Sequence, residues 1–168
     1  MKRFYQIIIC LVFILSFTAC SPKVFFALYR WGEYGYIKNA EEALRQKKYD
    51  QACELYQKHI EYRLSVIDRP EWENPYFYYL IIGDIRLRQS KVEEALSAYE
   101  LAEKMKIEPQ LVSDRYRFVA GWYEENGELK KAIKVLETYR NRDLLLFDAM
   151  LDRLAREIVK KEDETKSD

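Results

Sequence analysis

Few side chains in this sequence could do chemistry. Its 168 residues contain three cysteines and one histidine. Cys20, in the stretch LSFTACSP, has a residue type that serves a disulfide, a metal, a nucleophilic attack or a lipid. Cys53 lies beside Ala52 in YDQACELYQKHI, on an apolar helical stripe where a small buried hydrophobe is expected. His59 falls on the same stripe and is expected to pack at the edge of a core. A zinc site needs several Cys, His or carboxylate ligands, and a nucleophile needs a neighbouring base; this chain has neither set, and no glycine-rich phosphate loop. The carboxylate pairs Glu41-Glu42, Glu93-Glu94 and Glu124-Glu125 are adjacent in sequence. Neighbours on a helix point about 100° apart, so these pairs read as solvated faces and not as an acid/base couple. The expectation is a protein that is not an enzyme and uses no metal and no cofactor.

What precedes Cys20 explains it. Lys2 and Arg3 form a short basic start, and Phe4 to Ala19 is a 16-residue run without charge. That is the layout of an export signal. A spanning helix needs roughly 20 apolar residues, so the run reads as a segment that is inserted and then cut. An uncleaved signal anchor is the rival reading. Thr18-Ala19 directly before Cys20 resembles the bacterial lipobox, whose cysteine is diacylated and becomes the new N-terminus. The resemblance implies a signal peptide at residues 1–19 and a lipid anchor on Cys20. Both readings place the rest of the chain outside the cytoplasmic membrane. Ser21 is not the Asp that resembles an inner-membrane retention signal, which implies an outer-membrane address facing the periplasm in a cell with two membranes. With Cys10 in the discarded run and Cys20 acylated, Cys53 is left as one thiol, and one thiol forms no internal disulfide.

Composition bounds what remains. From Cys20 to Asp168 there are 149 residues, enough for one domain with a real core. Without Lys2 and Arg3 the balance is 26 basic against 28 acidic side chains, which is not the charge of a nucleic-acid binder. Only 5 Gly and 4 Pro interrupt stretches rich in Ala, Leu, Glu, Lys, Arg and Tyr. An all-α chain is expected.

Three segments share one internal spacing. Tyr79, Ile82, Gly83, Arg86, Ala95, Tyr99 and Ala102 form the clearest copy. The same offsets give Tyr116, Val119, Ala120, Tyr123, Ala132, Leu136 and Tyr139 after it, and Tyr36, Asn39, Ala40, Ala43, Ala52, Tyr56 and His59 before it. This resembles the tetratricopeptide repeat, a helical hairpin with small residues where its two helices cross and large ones beside them. The resemblance implies an irregular solenoid of about three hairpins over residues 34–141. The array is irregular because the crossing alanines 52, 95 and 132 are 43 and then 37 residues apart, against about 34 in a regular array. The extra residues of the first interval fit DRPEWENP, where two prolines break helix. ENGELKKAIKVLE has a glycine suited to the positive φ that ends a helix; the corresponding turns in QKKYDQACELY and QSKVEEALSAY have none.

The flanking segments are read from pattern. In DLLLFDAMLDRLAREIVKK, Leu144, Phe147, Leu151, Leu154 and Ile158 recur at helical spacing. A capping helix over 142–161 is expected to close the last hairpin, with 162–168 a disordered tail. Residues 20–33 form the lipidated terminus and the start of the first helix. There, Phe25, Phe26, Tyr29 and Trp31 either pack on the repeats or lie at a bilayer interface.

Stacked hairpins curl into a groove lined mainly by first helices, a surface that takes a partner's peptide or helix. The resemblance assigns to that groove Tyr34, Ile37, Glu41 and Leu44 from the first copy, then Phe77, Leu80, Asp84 and Arg88. From the third copy it assigns Asp114, Arg117, Gly121 and Glu124. The expected anchor is apolar, on Phe77 and Leu80, with polar selection by Glu41, Asp84, Arg88 and Arg117. The function implied is a membrane-anchored envelope lipoprotein that serves as a scaffold or assembly adaptor for another envelope protein. A fixed structural subunit of an envelope machine is the alternative.

Overall fold

A computed structural model of the chain describes residues 22–166, with side chains described for 34–161 and Asp163. Cys20 and the apolar run before it lie outside the described residues. Helix is the one kind of regular structure among the described residues, with no strand. Seven α-helices follow one another: α1 Pro22–Arg45, α2 Tyr49–Ser65, α3 Tyr78–Arg88, α4 Val92–Lys104, α5 Pro109–Glu125, α6 Leu129–Tyr139 and α7 Leu144–Lys166. The densest contacts are α1 with α2, α3 with α4, and α5 with α6, so the chain is three helical hairpins and a last helix. Each hairpin then packs on the next through α2 with α3 and α4 with α5, and α6 packs on α7.

The small residues sit where the helices meet. Ala40, Ala52, Ala95, Ala120 and Ala132 are fully buried. Gly83 is buried against Tyr99, whose ring occupies the space a methyl group at 83 would need. Two clusters of buried side chains result. One joins the first hairpin to Ile82 and Ile85 of α3, and the other joins Leu80 of α3 to the second and third hairpins and to α7. Helix α3 is therefore covered on opposite sides, which is why YYLIIGDIRLR is apolar around much of its circumference.

Four helices end in the same way. Lys48 N donates to Ala43 O and Lys47 N to Leu44 O; Lys91 with Arg86 and Ser90 with Leu87 repeat the pair. So do Ile107 with Ala102 and Lys106 with Glu103, and Glu128 with Tyr123 and Gly127 with Glu124. This pairing closes the orphan carbonyls of a helix end around one left-handed residue. Those residues are Lys47, Ser90, Lys106 and Gly127, all at positive φ. The turns without glycine thus keep the turn geometry and carry its strain. A side chain in that region costs about 1–2 kcal/mol, partly offset by the greater freedom glycine loses on folding. Lys47→Gly and Ser90→Gly are each expected to raise stability by about 0.5–1 kcal/mol, read as a higher urea midpoint with an unchanged slope.

Helix α7 differs from expectation at both ends. It begins after a 3-10 turn, Arg140–Arg142, with Asp143 as cap: its Oδ1 accepts from Leu146 N at 3.1 Å. It continues to Lys166 and not to 161, through residues expected to be disordered. The Lys161–Glu157 pair at 2.9 Å, one turn apart, braces the turn from which that extension leaves. Phe147 and Leu154 are fully buried, with Leu151 and Ile158 packed beside them. Leu144, expected in the same stripe, is exposed, and Leu146 and Met150 pack in its stead. With Asp143 as cap, the buried stripe starts about one turn later than the apolar pattern suggests.

Candidate functional site

The first helices of the second and third hairpins, α3 and α5, pack against each other. Their outward stripes line a groove of about 520 Å³. Helix α3 supplies Asp84, Leu87 and Arg88, spaced by one helical turn. Helix α5 supplies two adjacent stripes, Arg117 with Gly121 and Phe118 with Trp122 and Glu125. Met150 of α7 closes one side.

Phe118 is 45% exposed, which is unusual for a phenyl ring flanked by cations. The guanidinium of Arg117 lies 4.9 Å from its centroid and that of Arg115 5.8 Å. Such contacts are worth about 0.5–1 kcal/mol at exposed sites and more when water is excluded. The Nε atoms of Arg115 and Arg117 are buried without a hydrogen-bond partner. Unmade bonds of this kind cost free energy. Gly121 is the opposite of Gly83: nothing lies within 4 Å of where its Cβ would be. The floor of the groove is open because that side chain is missing.

The acidic groups are largely engaged. Asp84 accepts from Tyr99 Oη at 2.9 Å and from Arg115 Nη2 at 3.2 Å. Asp114 pairs with Arg117 at 3.3 Å. Arg88 is exposed on the rim.

The groove brings together Asp84, Arg88, Arg117 and Gly121 of the residues expected there. It does not include Leu80, which is 0% exposed and packs in the core between hairpins. The assignment of Leu80 as an apolar anchor is thereby corrected: its stripe turns toward the second hairpin's interior. Phe77 is half exposed on the 3-10 turn Pro75–Phe77, its ring edge-on to Tyr78 at 5.9 Å, and is not part of the groove wall. Glu124 is likewise taken: Arg153 of α7 donates to both its oxygens, one at 2.7 Å, and holds its carboxyl below the usual range. On α1, Tyr34 and Glu41 are exposed, Ile37 is partly buried, and Leu44 packs on the first cluster; none of the four lines this groove.

Phe118, Trp122, Leu87 and Met150 were missed from sequence. The repeat offsets choose one stripe per helix, whereas the groove is wide enough to show two stripes of α5. The readable signal was Phe118 itself, a large apolar residue off the buried stripe Val112, Tyr116, Val119 and Tyr123.

Elsewhere the chemistry-bearing groups are structural. Cys53 is buried, and desolvation raises its thiol pKa, which suppresses the reactive thiolate. His59 is buried edge-on to Tyr78 at 4.6 Å, and burial, then Arg63, lowers its pKa. Among the described residues no group of three or more His, Cys, Asp or Glu side chains is placed to hold a metal ion, and no helix is long and apolar enough to cross a membrane. No known family model matches the chain, and no curated protein matches it.

Proposed function

We propose that this is a membrane-anchored bacterial envelope lipoprotein, acylated on Cys20, whose tetratricopeptide-like hairpins hold a segment of another envelope protein in the α3/α5 groove. The observation that carries this reading is the half-exposed Phe118 under two guanidiniums, beside the open floor at Gly121. The chemistry fits a partner segment with one apolar side chain against Phe118 and Trp122 and a carboxylate toward Arg88 and Arg117. Aromatic and Arg side chains are the usual carriers of interface energy. The lipid holds the scaffold at the membrane, in a two-membrane cell on the outer membrane facing the periplasm. The second reading, a fixed structural subunit, draws on Leu144 and Leu145, which are 54% and 86% exposed at the start of α7.

Gly121→Leu separates the two. A Cβ at this position meets no neighbour, the rest of the leucine projects into the groove, and removing a glycine from a helix interior contributes up to about 1 kcal/mol of stability. The variant is expected to melt at or above the wild-type temperature and to lose the partner recovered by in-cell cross-linking of the full-length protein. Phe118→Ala is expected to weaken capture at least tenfold, about 1.4 kcal/mol. Undiminished partner recovery with both variants would reject the groove; loss on Leu145→Ser instead would support the structural subunit. Loss with Cys20→Ala alone would assign the anchor and leave no role to the groove.

A further inference from the structure

We infer that the loop joining α2 to α3 is a second membrane contact, placing Ile67 and Trp72 in the headgroup region of the bilayer that holds the amino terminus. This rests on the anchored reading in either form, acylated at Cys20 or retained by an uncleaved signal.

Ile67 is 98% and Trp72 85% exposed, far more than any other large apolar side chains described except Leu145. Tyr34 and Leu64, at 58% and 40%, are exposed at the same end of the first hairpin. Single exposed apolar residues need no explanation, but a concentration at one end of a molecule does. The loop is not frayed. Arg63, itself buried, grips both oxygens of Glu73 at 2.6 and 2.5 Å. Asn74 accepts from Tyr76 N at 3.1 Å and donates to Met105 O at 3.0 Å. Pro75 is buried. Ile67 and Trp72 are therefore held outward by a braced loop.

The occupant follows from where the chain enters the fold. Tyr36 of α1 meets Tyr62 of α2, ring centroids 6.3 Å apart, so the two helices run antiparallel and α2 ends at the end where α1 begins. The 16-residue apolar run enters α1 at that same end. By this register Ser65 stands level with about residue 33, and α1 projects roughly 16 Å beyond it toward Pro22. A slanted α1 brings the loop to the headgroups, whereas an upright one holds it clear of them. The exposed charges of the loop are Asp68 and Glu71, whereas Arg69 is half-buried and donates to Arg63 O at 3.4 Å, so anionic lipid has no attraction for the loop. The recognition is that of an aromatic and an aliphatic side chain at a zwitterionic interface.

The test uses the full-length protein in phosphatidylcholine vesicles, with Trp31→Phe and Trp122→Phe leaving Trp72 as sole reporter. Lipids brominated near the headgroup are expected to quench Trp72 by roughly half relative to unbrominated vesicles, with a blue-shifted emission. Ile67→Ser is expected to reduce that quenching and leave the melting temperature unchanged. If the protein floats with the vesicles and Trp72 stays red-shifted and unquenched, the loop stands in water, its apolar side chains free for a protein, and the inference is overturned. If the protein does not float with vesicles at all, the anchored reading fails and takes the loop contact with it.

Discussion

Gly83→Ala is expected to destabilise the protein by about 3 kcal/mol, the upper end of what overpacking a core costs. A Cβ at that position would lie 2.2 Å from Cε1, 2.7 Å from Cδ1 and 2.8 Å from Cζ of Tyr99. Carbon atoms in contact prefer about 3.5–4.0 Å, so the ring or the helix must move. The ring has no room. Tyr99 is fully buried, its hydroxyl donates to Asp84 at 2.9 Å, and its edge meets Tyr116 at 6.4 Å. Helix propensity works the other way, favouring alanine by about 1 kcal/mol; the steric cost is the larger and sets the sign. For a domain of this size the loss corresponds to a fall in melting temperature of roughly 6–12 °C, followed by circular dichroism. Combining Gly83→Ala with Tyr99→Leu, which removes the obstructing ring, is expected to behave no worse than Tyr99→Leu alone. A melting temperature within a degree or two of wild type for Gly83→Ala would mean that α3 and α4 do not cross at this glycine.

The contrast between the two helical glycines shows what a sequence can reveal and where it stops. Gly83 was legible as a crossing residue because it recurs, as Ala40 and Ala120, at one position of a repeated pattern. Core positions have this property: the need for a small residue opposite a large one is local and leaves a period. The repeat offsets place Gly121 on the groove face, but they do not show that it leaves an open floor, because empty space is set by how far apart α3, α5 and α7 come to rest. The same reason explains Leu80. Its spacing fits an outward stripe, but α3 is covered by hairpins on both sides, and no pattern within α3 states which apolar face is left bare. The helix ends were half legible. Gly127 announced its left-handed φ, whereas Lys47 and Ser90 adopt the same conformation because the flanking helices hold them there.

Raising the pH is expected to unfold the protein in a steep, cooperative step, because three phenols are sealed in one ladder. Tyr99 and Tyr116 are fully buried and Tyr139 nearly so. Tyr116 stacks on Tyr139 with centroids 3.6 Å apart and meets Tyr99 edge-on. Each hydroxyl donates to a carboxylate: Tyr99 to Asp84 at 2.9 Å, Tyr116 to Glu103 at 3.0 Å and Tyr139 to Glu100 at 2.5 Å. Burial first, then the adjacent carboxylate, pushes all three phenols far above their ordinary range. The folded state therefore keeps protons that the unfolded chain releases near pH 10. Stability is fully present below that value and is lost as pH rises above it. Three such groups give a slope of up to about 4 kcal/mol per pH unit, against a total stability of about 5–15 kcal/mol. Unfolding is expected between roughly pH 11 and 12.5, with tyrosinate absorbance of the ladder appearing in the same step as the loss of helical dichroism. Tyrosinate absorbance that rises for all the tyrosines in one titration centred near pH 10 with helicity intact would show that the phenols are open to solvent. Tyr116→Phe sharpens the test. Glu103 retains Arg142, at 2.8 and 3.3 Å, when the hydroxyl is removed, so no carboxylate is left without a partner. The variant is expected to stay close to wild type at neutral pH and to lose about a third of the alkaline slope, because one of the three proton-retaining groups is gone while the packing that buries the other two remains.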